Sequence, residues 1–140
     1  TNRFSINDIK KNMKIVLKKK MNKKYFDLSI KNLNDSAPIH KNDQWAQRLG
    51  LKKKIFPGFA VTSPFSKMIG MYLPGKNCVI MNIDFKFKKP TFQNDNLLYV
   101  CKVKKIVKSL NVVILSLLVL RKKEIVVEGN SQCKILQYNK

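Results

Sequence analysis

The chain contains one histidine, which lies close in sequence to an aspartate. His40 follows Asp35 by five positions, with Pro38 between them. Proline fixes its own φ angle and biases the preceding Ala37 away from helix, so we expect a non-helical turn here. Such a turn can bring the carboxylate and the imidazole to one point. The pair could then act as general acid and base on a water molecule.

Four further motifs follow this pair in a fixed order. They are Ile55–Phe59, which contains Pro57-Gly58, then Leu73-Pro74-Gly75, Phe85–Pro90 and Asn94-Asp95. Together with the Asp…Pro-Ile-His segment, they resemble the MaoC-like, (R)-specific enoyl-CoA hydratase family. The pattern of that family runs Asp-x-Asn-Pro-(Leu/Ile)-His, His-Gly-Met, Leu-Pro-Gly, Phe-x-x-Pro-Val and Gly-Asp. The resemblance covers nearly the whole chain.

The resemblance implies an activity and a role for four residues. Family members add water to a trans-2-enoyl thioester and form the (R)-3-hydroxyacyl product. Asp35 and His40 match the acid–base pair, the backbone N–H of Gly58 matches the oxyanion donor, and Ser66 matches a pocket serine. The resemblance implies no metal and no cofactor, since coenzyme A or acyl carrier protein enters only as part of the thioester substrate.

The chain departs from the family pattern at three positions. Ala37 stands where the family has Asn, and Pro57 where it has His. Pro64 falls inside the expected central helix, so it must kink that helix or occupy its first turn with Ser63 as N-cap. A helix that began at Ser63 would remove the Gly58 N–H from the helix terminus and weaken its oxyanion role.

The charge of the chain is strongly positive. The sequence has 29 basic and 8 acidic residues in 140, with a formal net charge of +21. Such a surface attracts polyanions, and we expect phosphates of the substrate to bind near Lys52, Lys53, Lys54 and Lys76. The alternative is that these lysines are solvated and reflect only an AT-rich coding bias. Nucleic-acid binding is the weakest interpretation, because the sequence has few arginines and no recognisable nucleic-acid motif.

The cysteines and apolar runs indicate a protein of a reducing compartment. Cys78, Cys101 and Cys133 are odd in number and match no metal-binding spacing, so we expect buried free thiols. The first residues contain no apolar signal-peptide core. The longest apolar run, residues 110–120, is too short to cross a bilayer. These features predict a cytoplasmic protein that does not insert into membranes.

The hydrophobic periodicity predicts one α+β domain over residues 1–140. Asn22 is expected to cap a helix that ends near Leu33, and Asp43 to cap a short helix that ends at Gly50. Residues 58–72 are apolar nearly all round and predict a buried helix. Period-two patterns predict strands at 13–20, 79–87, 98–107, 112–120 and 125–136. The resemblance implies that these elements form a hotdog fold, an antiparallel sheet wrapped around a long central helix.

Two interpretations remain besides hydration or dehydration of acyl thioesters. The chain could be a hotdog domain that binds acyl thioesters or a partner without catalysis, or a basic nucleic-acid-binding module. Sheet edges in such folds are commonly hidden by dimerisation, so we expect a homodimer. The sequence leaves open the acyl chain length, the choice between coenzyme A and carrier protein, and the direction of the reaction.

Overall fold

The computed structural model describes residues 1–137, in which five strands form a single antiparallel sheet. The strands are β1 (Lys14–Lys20), β2 (Cys78–Phe87), β3 (Asn96–Val107), β4 (Val112–Arg121) and β5 (Glu124–Ile135). Their order across the sheet is β1-β3-β4-β5-β2. All five strands predicted from period-two patterns are confirmed to within two residues at each end. Alternate residues of β3, β4 and β5 face the core on one side of this sheet.

Five α-helices connect β1 to β2. They are α1 (Lys23–Leu33), α2 (Pro38–Lys41), α3 (Asp43–Arg48), α4 (Gly58–Thr62) and α5 (Pro64–Lys67). Asn22 caps α1 as predicted, because its side chain accepts a hydrogen bond from the Tyr25 N–H. The predicted cap of α3 was wrong by one position: Asn42 accepts from the Trp45 N–H, while Asp43 accepts from the Lys54 N–H instead.

The expected central helix is a helical segment, residues 58–72, built from α4, α5 and a π-helical turn at Met68–Tyr72. Pro64 interrupts it because proline has no N–H to donate to the carbonyl of Ala60. Two hydroxyl groups donate to Ala60 O instead. Tyr25 Oη lies 2.6 Å from this oxygen and Ser63 Oγ lies 3.0 Å from it. Ser63 keeps a right-handed helical conformation and its side chain caps nothing. Both alternatives are met in part: Pro64 is the first residue of α5 with Ser63 at the N-cap position, while the helical segment as a whole still begins at Gly58.

Aromatic side chains hold the helical segment against the sheet. Phe65 stacks on Phe85 of β2 with ring centroids 5.7 Å apart, and meets Tyr99 of β3 edge to face at 5.4 Å. Tyr99 Oη also donates a 2.6 Å hydrogen bond to Val61 O. Farther along the segment, the Cys78 thiol donates to Ile69 O. The segment therefore lies alongside β2, with the core between it and the sheet.

The Leu73-Pro74-Gly75 motif forms the turn between the helical segment and β2. Its Leu73–Pro74 peptide bond is cis, and Gly75 has a φ of +101°. A Cβ atom at Gly75 would lie 2.3 Å from the backbone oxygen of Asn2. The motif therefore requires glycine both for its backbone conformation and for the close approach of the N-terminal segment.

The three cysteines are free thiols, as predicted. Cys101 and Cys133 are buried, whereas Cys78 is partly exposed at the start of β2. Burial raises the pKa of the Cys101 thiol to about 12, so this group stays protonated and unreactive at neutral pH. Within residues 1–137, no helix has the length and apolar character needed to span a membrane. The cytoplasmic location stays a prediction.

Replacing Gly75 by alanine should destabilise the protein, whereas the same change at Gly70 should not. The Gly75→Ala variant combines a positive φ with a backbone clash, which costs at least about 1–3 kcal/mol of unfolding free energy. A Cβ at Gly70 would meet nothing within 4 Å. Urea denaturation of both variants measures the difference. Equal unfolding midpoints would contradict the structural role of the motif.

Candidate active site

Asp35 is positioned by the end of α1. Asn34 closes that helix in a left-handed conformation, and the Asp35 N–H donates to Ile30 O at 3.3 Å. Asp35 Oδ1 accepts from the Ala37 N–H at 3.0 Å, a local turn that aspartate side chains favour. Because a backbone N–H forms this bond, Ala37 braces the turn without the amide side chain that the family has there. The second carboxylate oxygen remains for His40.

His40 lies on α2 and not in the irregular loop that we expected. Pro38 occupies the first turn of this short helix, where its fixed φ and missing N–H are tolerated. Ala37 before it is extended, as expected for a residue that precedes proline. His40 Nδ1 lies 2.8 Å from Ile55 O. A carbonyl only accepts, so Nδ1 carries the proton and, in a neutral ring, Nε2 has the free lone pair.

The carboxylate and the imidazole lie together, as the sequence predicted. His40 Nε2 is 3.5 Å from Asp35 Oδ2. The His40 side chain is 13% exposed and that of Asp35 is 33% exposed. The two polar atoms are thus close enough to bind one water molecule together and are partly shielded from bulk solvent. This arrangement can transfer protons to and from a ligand.

Gly58 is the first residue of α4, so its backbone N–H has no acceptor within the helix. The ring of Phe87 lies against it: a Cβ atom at Gly58 would be 3.0 Å from two carbons of that ring. The Phe56 N–H donates to Thr91 O, which ties the residues before Gly58 to those after Phe87. The N–H can act as a donor to a ligand that enters beside the Phe87 ring.

Ser66, the predicted pocket residue, is exposed on the single chain. It lies on α5, on the side of the helical segment that faces away from the core. Phe59 lies one to two turns earlier on that side and is 80% exposed. Within residues 1–137, no hydrogen bond links Ser66 to Asp35 or His40, and its role as a pocket residue stays a prediction.

The four lysines predicted to bind phosphate are separated by the fold. Lys52 is exposed and lines a cavity of about 810 Å³. Lys53 Nζ donates to Gln93 O at 3.5 Å, and Lys54 Nζ lies 5.1 Å from the centre of the Phe26 ring. Lys76 lies at the far end of β2, about 30 Å along the strand from the Phe87 end. A single phosphate site formed by all four is therefore excluded.

Sequence reasoning missed an ion-pair cluster beside this cavity. Arg121 Nη1 donates to Asp95 Oδ2 and Arg121 Nη2 to Glu124 Oε1, both at 2.7 Å. Burial lowers the pKa of Arg121, but the hydrogen bonds that it donates to these two carboxylates raise it overall. Asp95 also accepts from the Phe92 N–H. Asp95 therefore links the loop after β2 to Arg121 at the end of β4. The sequence carries no local signal for this contact.

Within residues 1–137, no group of His, Cys, Asp and Glu side chains could hold a metal ion. The prediction that the chain uses no cofactor stays a prediction.

The chain is similar to known hydratases and dehydratases. It is 31% identical over 61 residues to an (R)-specific enoyl-CoA hydratase from Aeromonas caviae, a match that covers 44% of this chain and 46% of that protein. The chain therefore matches about half the length of this curated relative. No family model matches the chain.

Solved structures with the same fold cover almost the whole chain. The (R)-hydratase PhaJ1 from Pseudomonas aeruginosa superposes with a TM-score of 0.85 at 18% identity, over 96% of this chain and 86% of that one. A MaoC-like dehydratase from Rhodospirillum rubrum superposes with a TM-score of 0.80 at 14% identity, over 99% and 100% of the two chains. These findings confirm the hotdog fold and the resemblance to this family.

The hydrogen bond to Ile55 predicts that neutral His40 carries its proton on Nδ1. His40 is the only histidine, so a ¹⁵N–¹H long-range correlation spectrum of the labelled protein reports on it without ambiguity. We expect the Nδ1–H tautomer to predominate in the neutral ring. A predominant Nε2–H tautomer would contradict the geometry described above.

Proposed function

We propose that the chain is a hydratase or dehydratase of enoyl and 3-hydroxyacyl thioesters, with Asp35 and His40 as its acid–base pair. The observation that carries this proposal is the 3.5 Å approach of His40 Nε2 to Asp35 Oδ2, with Nδ1 held by Ile55 O. That arrangement leaves two acceptor atoms facing the same small volume. A water molecule there can donate one hydrogen bond to each, with its oxygen turned toward a substrate.

The proton transfers follow from this placement. As the water oxygen bonds to C3 of the enoyl thioester, its O–H bond breaks and the proton passes to His40 or Asp35. C2 then takes a proton from one of the same two groups. Because both groups lie on one side of the substrate, the new C–O and C–H bonds form on the same face. Dehydration runs through the same steps in reverse.

Negative charge develops on the thioester carbonyl oxygen during the attack. The Gly58 N–H at the start of α4 is the donor that we assign to it. A donor of this kind contributes about 3 kcal/mol of transition-state stabilisation. The preserved helical path from Gly58 past Pro64 supports this role, because the peptide dipoles of the segment remain aligned toward its first residue.

The comparisons support the reaction class. The curated relative is named an (R)-specific enoyl-CoA hydratase, and a structural neighbour from Mycobacterium tuberculosis is a 3R-hydroxyacyl-ACP dehydratase complex. We carry the thioester substrate and the (R) stereochemistry over to this chain as part of the proposal.

Removing either member of the pair should abolish most of the activity. Asp35→Asn keeps an oxygen for the Ala37 N–H, and His40→Ala removes the imidazole. Each should lower kcat for crotonyl-CoA hydration by about 100-fold or more, because a general acid or base is lost. The loss of enoyl absorbance measures the rate. Asp27→Asn is the matched control, since Asp27 pairs only with Lys23 on the exposed face of α1.

Retained activity in both variants, with the control also active, would exclude the assigned pair. A wild-type protein that binds crotonyl-CoA without turnover would instead support a non-catalytic thioester-binding domain. One observation favours that second candidate: the Phe87 ring lies against Gly58, where a substrate carbonyl would have to approach.

We also propose that two copies associate through β2. Both edges of the sheet are open in the single chain, but they differ in character. The β1 edge carries Lys14, Lys18 and Lys20, and charges of this kind discourage pairing with another strand. The β2 edge is mostly exposed and alternates polar residues with apolar ones. Its exposed apolar side chains are Val79, Ile80, Met81, Ile83 and Phe87. Phe59 and Ser66 lie on the helical segment beside it, so a partner copy on β2 can cover all of these residues.

Placing a charge on the β2 edge should dissociate the dimer. Met81 is 61% exposed on β2, and Leu110 is 62% exposed in the turn between β3 and β4. Met81→Lys should therefore shift the protein to monomer in sedimentation-velocity experiments, because a buried unpaired charge would lie in the interface. Leu110→Lys is the matched control and should leave the dimer intact. A wild-type monomer at micromolar concentration, or a dimer in both variants, would contradict this interface.

A further inference from the structure

Five exposed lysines form a continuous positive surface, which we call the cationic belt: Lys18, Lys20, Lys52, Lys122 and Lys123. They line two adjoining surface cavities of about 810 and 400 Å³, and the two cavities share Lys122 and Asn96. Within residues 1–137, none of the five lysines forms an ion pair. The larger cavity also contains Asp95 and Glu124, both paired with Arg121. These three side chains together carry about −1 against the five positive charges of the belt, so the surface remains positive.

The belt adjoins the loops that position the candidate active site. Ile55, whose carbonyl holds His40, is three residues after Lys52. The Phe56 N–H donates to Thr91 O and Lys53 Nζ to Gln93 O. These bonds link residues 51–56 to the loop after β2. Asp95 of that loop contacts Arg121, which directly precedes Lys122 and Lys123 in the β4–β5 turn. A molecule bound to the belt therefore lies next to residues 51–56, whose Ile55 carbonyl holds the His40 ring.

The shape of the belt fits a protein surface better than a nucleotide. Sites for small ligands are concave pockets with polar groups that converge on one point. Here the lysines extend across three neighbouring strands and a loop, and none of them is buried. Dispersed exposed charges of one sign act on a complementary charged surface, where they increase the association rate and orient the partner.

Within residues 1–137, Lys122 is the only residue with a positive φ that is neither glycine nor asparagine. Lys122 has a φ of +56° in the turn between β4 and β5. Glycine and asparagine adopt this conformation readily, whereas it is strained for other residues. Lysine at this position adds a second exposed charge beside Lys123 at the tip of the turn.

We infer that the cationic belt docks an acidic carrier protein that presents the acyl chain as a thioester on a flexible arm. The inference rests on the proposed function and specifies its substrate: the thioester of a carrier protein in preference to free coenzyme A. The belt binds the acidic surface of the carrier, and the arm delivers the acyl group past residues 51–56 to Asp35 and His40.

The test compares crotonyl–acyl carrier protein with crotonyl-CoA in two charge-matched variants. The belt variant is Lys52→Gln/Lys122→Gln/Lys123→Gln. The control variant, Lys11→Gln/Lys104→Gln/Lys105→Gln, loses the same charge from a cavity at the other end of β3. The belt variant should lose about tenfold in kcat/KM for the carrier-protein substrate, mainly through KM, and less than about twofold for crotonyl-CoA. The control variant should change less than about twofold on both.

Three kinetic results would overturn the inference. An equal loss on both substrates would mean that the belt binds phosphates of coenzyme A. Equal losses in both variants would mean that only net charge matters. An unchanged rate with the carrier protein would exclude docking at the belt. Binding to phosphatidylglycerol vesicles and to duplex DNA tests two other partners. If the belt variant alone loses such binding while its kinetics with the carrier protein are unchanged, the belt binds that partner.

A binding measurement separates this inference from the proposed function. If neither thioester is turned over, fluorescence anisotropy of a labelled holo-carrier protein still tests the belt. Weaker binding by the belt variant alone would then support docking although the proposed reaction fails. Equal binding by the wild-type protein and both variants would overturn the inference independently of catalysis.

Discussion

The packing of Phe65 between the sheet and the helical segment is the contact on which the other elements depend. Its ring meets Phe85 on one side and Tyr99 on the other, and it is almost completely buried. Burial of such a side chain contributes about 1.5–3 kcal/mol, and each favourable ring pair about 0.5–1.5 kcal/mol more. Because this contact fixes the segment along β2, it also determines where Gly58 lies relative to Phe87 and which side of the segment remains exposed.

The same packing divides the surface into regions of different character. The helical segment and β2 together present exposed apolar residues, whereas β1 and the β4–β5 turn present lysines. An apolar edge and a charged edge on one sheet have opposite consequences: the first favours association with a second copy, and the second discourages strand pairing while attracting acidic partners. The net charge of +21 is unevenly distributed over the fold, and our proposal assigns the exposed apolar side chains of β2 to association with a second copy.

Most of the fold was predictable because its signals are local. Period-two patterns identified every strand to within two residues, and the Asn22 cap located the start of α1. The family motifs then supplied the hotdog arrangement, which the solved structures confirm. The errors are also local in origin. Pro38 was interpreted as a helix breaker although it occupies a tolerated first-turn position, and Asn42 was passed over in favour of the neighbouring Asp43 as a cap.

The sequence by itself determined that Asp35 and His40 would meet, because five residues with a proline between them can span only a short distance. Three other features of the site depend on the folded chain. They are the carbonyl of Ile55 that orients the imidazole, the Phe87 ring against Gly58, and the separation of the lysines. The physical reason is that these contacts join residues distant in the chain. Their distances depend on strand register and loop closure, which no local pattern encodes.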